Sequence, residues 1–99
     1  MVVTELRSHE FLSRIRVTGA VVTLSSMSFR SGMTVMDVIL EAGGVNEYAS
    51  ADNTKLYRRT GNETRVMDVK LNRILKKGDL SSNYALQPGD VITVPERFF

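Results

Sequence analysis

The sequence predicts an α+β domain in which one main helix and a second short helix pack against a small mixed sheet. Several short segments alternate polar and apolar residues, as half-buried strands do. One segment, residues 34–44, instead has the apolar spacing and the end signals of an amphipathic helix. The 99 residues suffice for one domain with a single modest core, so all of these elements must share that core.

The first hairpin is predicted from an alternating segment near the start of the chain. Residues 14–18 alternate polar and apolar side chains, and we expect this strand to continue through Gly19 into residues 20–22. A glycine inside a strand indicates a bulge or a close approach of another backbone. Ser25-Ser26 predicts the turn, and residues 27–29 predict the second short strand.

The main helix is the best-defined element of the sequence. Thr34 is a favourable N-cap, and Asp37 three residues later completes a capping box with a short acid. The apolar residues that follow share one helix face, at the spacing i, i+3, i+4 and i+7: Val35, Val38, Ile39 and Ala42. Gly43-Gly44 then predicts a left-handed C-terminal cap.

The second half of the chain predicts a hairpin and a short helix. These elements are, in order, a polar loop at 45–54, strands at 55–59 and 64–69 joined by a turn at 60–63, and a helix with Leu71, Ile74 and Leu75 on one face and Gly78 at its end. The hairpin and the helix precede the last predicted strand.

The last predicted element is a strand, residues 91–94, that follows a tight turn. Pro88 fixes one backbone torsion of that turn, and Gly89 accepts torsions that other residues resist. Asp90 can then hydrogen-bond the backbone that leaves the turn. Pro95 has no N–H group for a neighbouring strand, so the ladder ends there. We expect this strand to lie centrally beside the first one, which is the β-grasp (ubiquitin-like roll) arrangement.

The composition argues against several classes of chemistry. There are no cysteines, which excludes disulfides, thiol catalysis and cysteine-bound zinc or iron–sulfur clusters. His9 is the single histidine and no nucleophile motif accompanies it, so we expect no enzymatic activity, no cofactor and no metal. Asp37 and Glu41 share a helix face and could serve a glycosidase or a hard cation. The favoured interpretation is helix capping by Asp37 and a solvated Glu41.

Positive charge is concentrated in residues 55–77, although the net charge of the chain is only +2. Glu63 and Asp68 are the acidic residues of this segment, against eight basic ones: Lys55, Arg58, Arg59, Arg65, Lys70, Arg73, Lys76 and Lys77. Such a segment can attract an anionic polymer or lipid head groups. The simpler interpretation is a solvated surface whose acidic partners come from elsewhere in the fold.

These motifs and their order resemble the SLBB domain, the soluble-ligand-binding β-grasp module of bacterial polysaccharide export proteins. The shared pattern comprises residues 17–21, 32–37, 42–45, 71–79, Asn83 and 86–95. The sequence departs from it at Leu24-Ser25, where many members carry Pro-Gly. It is most similar to export proteins of exosortase-associated exopolysaccharide systems. The resemblance assigns residues 14–96 to the domain, 1–13 to the join with a preceding export domain, and 97–99 to a tail. Within the join, the residues themselves predict a short strand at 2–7.

The resemblance implies a periplasmic protein, associated with the outer membrane through its parent chain, that forms a ring for polysaccharide transport. The implied partners are other copies of the parent protein, an inner-membrane polysaccharide co-polymerase and the polysaccharide itself. We expect the isolated domain to be monomeric. We also expect it to bind no nucleic acid, because it lacks a helix-turn-helix or an aromatic-rich sheet motif. The residues with expected structural roles are Gly19, Thr34, Asp37, Gly43, Gly44, Pro88, Gly89 and Asp90.

A carbohydrate-binding or soluble-ligand-binding module is the alternative function. Sugars stack on aromatic rings, and the sequence offers Tyr48, Tyr57, Tyr84, Phe98 and Phe99 but no tryptophan. Residues 45–54 and 79–87 are the predicted lips of such a site, because loops carry binding residues on rigid scaffolds. The candidate contact residues are Tyr48, Asn53, Arg58, Arg73, Lys76, Lys77, Asn83 and Tyr84. The competing interpretation is that Tyr57 packs on a sheet face and Tyr48 covers the end of the helix.

Overall fold

A five-stranded sheet and two helices make up the fold in the computed structural model, which describes residues 14–97. The elements are β1 (Arg14–Gly19), β2 (Ser25–Ser28), α1 (Val35–Glu41), a 3₁₀ turn (Ala51–Asn53), β3 (Thr54–Thr60), β4 (Glu63–Val69), α2 (Leu71–Lys77) and β5 (Val91–Val94). The predicted strand at residues 2–7, His9 and Phe98-Phe99 lie outside the described residues. Within the described part, neither helix has the length and apolar character needed to cross a membrane.

The sheet is mixed, and its strands are ordered β2-β1-β5-β3-β4. β5 lies at the centre, parallel to β1 and antiparallel to β3. Its Ile92 is opposite Val17 on one side and Leu56 on the other. The α+β class, the β-grasp arrangement and the central place of the closing strand are therefore confirmed.

The first hairpin turns earlier than the sequence predicts. β1 ends at Gly19, so residues 20–22 belong to the connection and not to the strand. Ser25-Ser26, predicted as the turn, lies in β2 and pairs with β1, which satisfies its backbone groups and overrides the turn preference of serine. The connection instead rests on the end of α1, where the Val22 amide donates to the Gly44 carbonyl at 3.0 Å.

Both predicted ends of α1 are confirmed. The Thr34 hydroxyl accepts from the Asp37 amide at 3.4 Å, and the Asp37 carboxylate accepts from the Thr34 amide at 3.0 Å, which completes the capping box. At the other end, the Gly43 and Gly44 amides donate to carbonyls of the last helical turn at 3.0 and 2.9 Å. The two glycines have φ angles of 85° and 86°, so this left-handed cap favours glycine at both positions.

The core lies between the helices and one face of the sheet, which we call the core face. Its large, fully buried aliphatic side chains come from the strands and from both helices: Ile15, Val17, Val35, Val38, Ile39, Leu56, Val69, Leu71, Ile92 and Val94. The alternate strand positions form the opposite, open face, and they are Arg14, Arg16, Thr18, Ser26, Ser28, Lys55, Tyr57, Arg59, Thr64, Val66, Asp68, Val91 and Thr93. These residues are half-buried or exposed, so the sheet has one packed and one solvated face.

Candidate functional site

The fold divides the basic segment of residues 55–77 among several surfaces. Lys55 and Arg59 lie on the open face, whereas Arg58 between them lies on the core face. Arg65 is directly opposite Arg58 in β4, so it points to the core side at the exposed edge of the sheet. The remaining cations belong to α2 and its N-cap, and they are Lys70, Arg73, Lys76 and Lys77. The segment is therefore not one continuous charged surface.

Arg58 pairs with Asp90 just before the start of β5. Arg58 Nη2 lies 2.9 Å from Asp90 Oδ2 and Nε lies 3.1 Å from Oδ1, so the pair is bidentate. Arg58 Nη2 also donates to the Ala85 carbonyl at 3.0 Å. Asp90 accepts from the Gln87 amide at 2.8 Å, a bond to the first residue of the turn rather than to the backbone that leaves it. The two side chains are only 13% and 1% exposed, so the pair fastens residues 85–90 to β3.

Alternation along β3 carries a signal for this buried pair. Leu56 faces the core, and Arg58 two residues later faces the same side. A guanidinium on that side needs buried acceptors, because an uncompensated buried charge is costly. The acid lies 32 residues further along the chain, and sequence spacing does not indicate which acid is brought there. Arg58 is a predicted ligand contact, and in the structure its guanidinium donates to the Asp90 carboxylate and the Ala85 carbonyl.

The two tyrosines of the predicted ligand site lie at opposite ends of α1. The Tyr84 carbonyl accepts from the Val35 amide at 3.1 Å at the start of the helix, and the Tyr84 side chain is half-buried against the core. Tyr48 follows the end of the helix, and its carbonyl accepts from the Arg97 amide at 2.8 Å, beyond the end of β5. The structure therefore does not bring Tyr48 and Tyr84 to one site.

Asn53 and Asn83, two further predicted contacts, bond to neighbouring protein groups. Asn83 Oδ1 accepts from the Met36 amide at 2.8 Å, which fastens the 79–87 loop to the first turn of α1. Asn53 Nδ2 donates to Ser50 Oγ at 2.6 Å within the 3₁₀ turn. These amides hold the two predicted lips in place.

The three predicted cationic contacts on α2 are exposed, and Lys76 and Lys77 occupy its last turn. Cations at this end of a helix interact favourably with the helix dipole, which gives them a local role. At the other end of α2, the sequence analysis missed Asp52. Its Oδ1 accepts from the Asn72 amide at 2.9 Å, so the 3₁₀ turn caps α2 from outside the helix.

Asp37 and Glu41 border a surface cavity of about 460 Å³ whose other lining residues are Arg30, Ser31, Gly32 and Met33. Asp37 is engaged in the capping box, and Glu41 lies 3.7 Å from Arg30. Between residues 14 and 97, no group of three or more acidic or histidine side chains could hold a metal ion. These contacts agree with helix capping by Asp37 and a solvent-exposed Glu41.

The open face presents a row of side chains that crosses all five strands. From β4 to β2 the row is Val66, Tyr57, Val91, Arg16 and Ser26. The next row is Asp68, Lys55, Thr93 and Thr18, in which the two threonine hydroxyls lie 3.1 Å apart. Tyr57 is 37% exposed and its neighbour Val66 is 55% exposed, so the ring lies in an accessible apolar strip. This face combines an aromatic ring, hydroxyls and cations on strands that are hydrogen-bonded to one another.

A family model of the SLBB domain matches residues 13–94. The chain belongs to the SLBB-domain family. The match extends over all five strands and both helices, so the family assignment applies to the whole described fold.

In this SLBB domain, the residues with expected structural roles join the elements. Gly19 has a φ angle of 94°, and a Cβ atom there would lie 2.1 Å from the Val94 carbonyl oxygen, which confirms the predicted close approach of another backbone. Pro88 and Gly89 form the turn before β5, where Gly89 has a φ angle of 87°. The Asp90 amide closes this turn with a 3.2 Å bond to the carbonyl three residues earlier.

Proposed function

We propose that this SLBB domain serves a bacterial polysaccharide export protein in the periplasm, where it joins neighbouring copies of its parent chain into a ring. Membership of the SLBB family supports an association with polysaccharide export or ligand binding. Attachment of the parent to the outer membrane and an exosortase-associated system are parts of the same proposal. The assembly role rests on one observation, three exposed apolar side chains at and beside the end of α1, which we call the helix-end patch.

The helix-end patch consists of Val22, Leu24 and Leu40, which are 61%, 68% and 58% exposed. Val22 and Leu24 belong to the connection between β1 and β2. The Thr23 amide donates to the Ala42 carbonyl at 2.9 Å, so this connection is held directly beside the residue that follows α1. Large apolar side chains gathered on a surface indicate a contact with another molecule.

The size of the helix-end patch predicts weak association. A ring requires a heterologous contact, in which the patch of one copy meets a different surface of the next. Three side chains cover far less than the roughly 800 Å² per partner of a stable interface. We therefore expect the isolated domain to be monomeric when dilute and to associate only at concentrations on the order of 1 mM.

NMR spectra of residues 1–99 at increasing protein concentration test this role. We expect concentration-dependent shifts around the helix-end patch, which Leu24→Ser and Leu40→Ser remove. Leu80→Ser is the matched control, since Leu80 is also an exposed leucine (56%) but lies near the start of α1. Its carbonyl accepts from the Asn83 amide, and the Asn83 side chain in turn accepts from the Met36 amide in the first turn of α1. Shifts that are absent at every concentration, or equally reduced by Leu80→Ser, contradict assembly through this patch.

The parent protein provides the test of the export role. In the producing bacterium, Leu24→Ser with Leu40→Ser is expected to lower the amount of surface polysaccharide, while Leu80→Ser leaves it unchanged. Immunoblots of the parent protein are the control for equal accumulation of the two variants. Normal surface polysaccharide in the double variant would show that the patch has no part in export.

A further inference from the structure

We infer that the open face of the sheet is a binding platform for an acidic polysaccharide, centred on Tyr57. This inference rests on the proposed function for the choice of a polysaccharide as the ligand. The platform is a different surface from the helix-end patch. It contains no residue of the predicted lips at residues 45–54 and 79–87. The arrangement that supports it is the placing of one aromatic ring, paired hydroxyls and several cations on adjacent strands.

The aromatic centre of this platform is defined by strand register. Tyr57 lies opposite Val66 in β4 and opposite Val91 in β5, so an apolar side chain flanks the ring on each side. The ring therefore lies on an interior strand of the sheet, paired on both sides, and not on a loop. Sugars present C–H groups on one face of the ring, and an accessible tyrosine offers an apolar surface to such a face together with a polar hydroxyl.

Hydroxyl groups lie one register row away from the ring. The hydroxyls of Thr18 and Thr93 are 3.1 Å apart and belong to neighbouring strands, β1 and β5. Each hydroxyl can donate one hydrogen bond and accept others, as required for the hydroxyls of a sugar. Because the Tyr57 row crosses five strands and the Thr93 row crosses four, with strands about 4.8 Å apart, the surface is extended, which suits a polymer segment better than a small molecule.

The charge of this face selects an acidic polymer. Arg14, Arg16, Lys55 and Arg59 are its basic residues, and Asp68 is its one acidic residue among the described residues. Arg14 also donates to Ser26, and Lys55 pairs with Asp68, so part of the charge is held in place by the sheet itself. Arginine recognises carboxylates through paired N–H donors, which favours a uronate over a neutral sugar.

The β3–β4 hairpin provides a matched pair of variants for the test. Arg59 and Arg65 are both exposed arginines of this hairpin, but Arg59 lies on the open face and Arg65 on the core side. Arg59→Gln and Arg65→Gln remove the same charge from the same hairpin. A difference between them therefore reports the face that binds and not the net charge of the chain.

The experiment is an NMR titration of residues 1–99 with oligogalacturonates, which are acidic probes. Maltooligosaccharides of the same length serve as neutral sugars, and polyglutamate serves as a polyanion without sugar rings. We expect saturating shifts on the open face with oligogalacturonates only. Arg59→Gln and Tyr57→Leu should each weaken binding by about tenfold, which corresponds to 1.4 kcal/mol, whereas Arg65→Gln should change it by less than about twofold.

Four results would overturn the inference. Equal losses in Arg59→Gln and Arg65→Gln, or equal binding of polyglutamate, would show general attraction of polyanions. Open-face shifts that follow protein concentration without any sugar would show that a second copy of the chain occupies the face. Absence of shifts with oligogalacturonates would also reject the platform, while self-association through the helix-end patch would leave the assembly role intact. Binding of oligogalacturonates without self-association would support the platform and reject assembly through the helix-end patch.

Discussion

β3 contributes an ion pair to each face of the sheet, and the two pairs differ in burial and in the elements that they join. On the core face, Arg58 meets Asp90 with side chains that are 13% and 1% exposed. On the open face, Lys55 meets Asp68 with side chains that are 40% and 63% exposed. The first pair joins β3 to the turn before β5, whereas the second joins two strands of one hairpin.

The difference shows that burial and connectivity, not charge, decide what an ion pair contributes. Removing one partner of a buried pair leaves the other charge without water or counter-ion. An exposed pair loses little, because solvent and salt replace the missing partner. The core face of β3 is therefore expected to tolerate few changes, while the open face is available to evolve contacts with a ligand.

The largest expected effect is that of Asp90→Ala. This change leaves the Arg58 guanidinium unpaired and removes the acceptor of the Gln87 amide. We expect a loss of about 3–5 kcal/mol in the free energy of unfolding, measured by urea denaturation at pH 7. Asp90→Asn retains an acceptor oxygen for the Gln87 amide and should show a smaller loss.

The exposed pair is the control for Asp90→Ala. Lys55→Ala should leave the urea midpoint at pH 7 nearly unchanged, because its side chain is already in contact with solvent. If Lys55→Ala and Asp90→Ala shifted the midpoint equally, the contrast between the two faces would be wrong. Loss of stability in Asp90→Ala without loss in Arg58→Ala would assign the effect to the turn alone.

The same contrast between packed and open positions applies to glycine. At Gly19, a Cβ atom would collide with the Val94 carbonyl at 2.1 Å, and the φ angle of 94° is unfavourable for alanine. At Gly78, which ends α2 with a φ angle of 67°, nothing lies within 4 Å of the added atom. Gly19→Ala therefore adds a collision to the backbone strain, whereas Gly78→Ala adds strain alone.

We expect Gly19→Ala to lower the free energy of unfolding by about 2–4 kcal/mol and Gly78→Ala by about 1 kcal/mol. Thermal and urea denaturation of both variants measure the two losses. Similar losses would indicate that β1 and β5 separate enough to accommodate the methyl group. The central strand pair would then be less rigid than the core face implies.

The sequence predicted those features that depend on near neighbours along the chain. Thr34 and Asp37 are three residues apart, so their capping box follows from a local pattern, as does the glycine cap at Gly43-Gly44. The central place of β5 was also predictable, because its β-branched run follows a strong turn signal and suits a buried strand.

The sequence did not reveal the features that depend on distant pairing. Arg58 and Asp90 meet only because β5 inserts beside β3, so a basic segment that looks continuous in the sequence is divided by strand register. Ser25-Ser26 has the composition of a turn, yet pairing with β1 places it in a strand. Tyr48 and Tyr84 stay predicted ligand contacts, but they lie at opposite ends of α1, because the 45–54 loop leaves the end of α1 and the 79–87 loop returns to its start.

The smallest expected effect concerns the pH dependence of the open-face pair. The hydrogen bond from Lys55, together with its charge, holds the pKa of Asp68 below the ordinary value of 3.8. A carboxylate with a lowered pKa stabilises the fold above its unfolded-state pKa, and this contribution is lost as the pH falls through the folded-state value. The small contribution of the Lys55–Asp68 pair should thus be present at neutral pH and be lost in the acid range, below about pH 4.

Lys55→Gln tests this effect with an internal control in the same molecule. The pKa of Asp79 is also lowered, but its main cause is the Ser81 amide, which donates to Asp79 Oδ1 at 3.0 Å. In NMR titrations of the side-chain carboxyls, Lys55→Gln should raise the pKa of Asp68 towards 3.8 and leave that of Asp79 unchanged. If the Asp68 value did not move, Lys55 would not hold that carboxylate in solution. Lys55 would then be available, like Arg59, to an incoming acidic ligand.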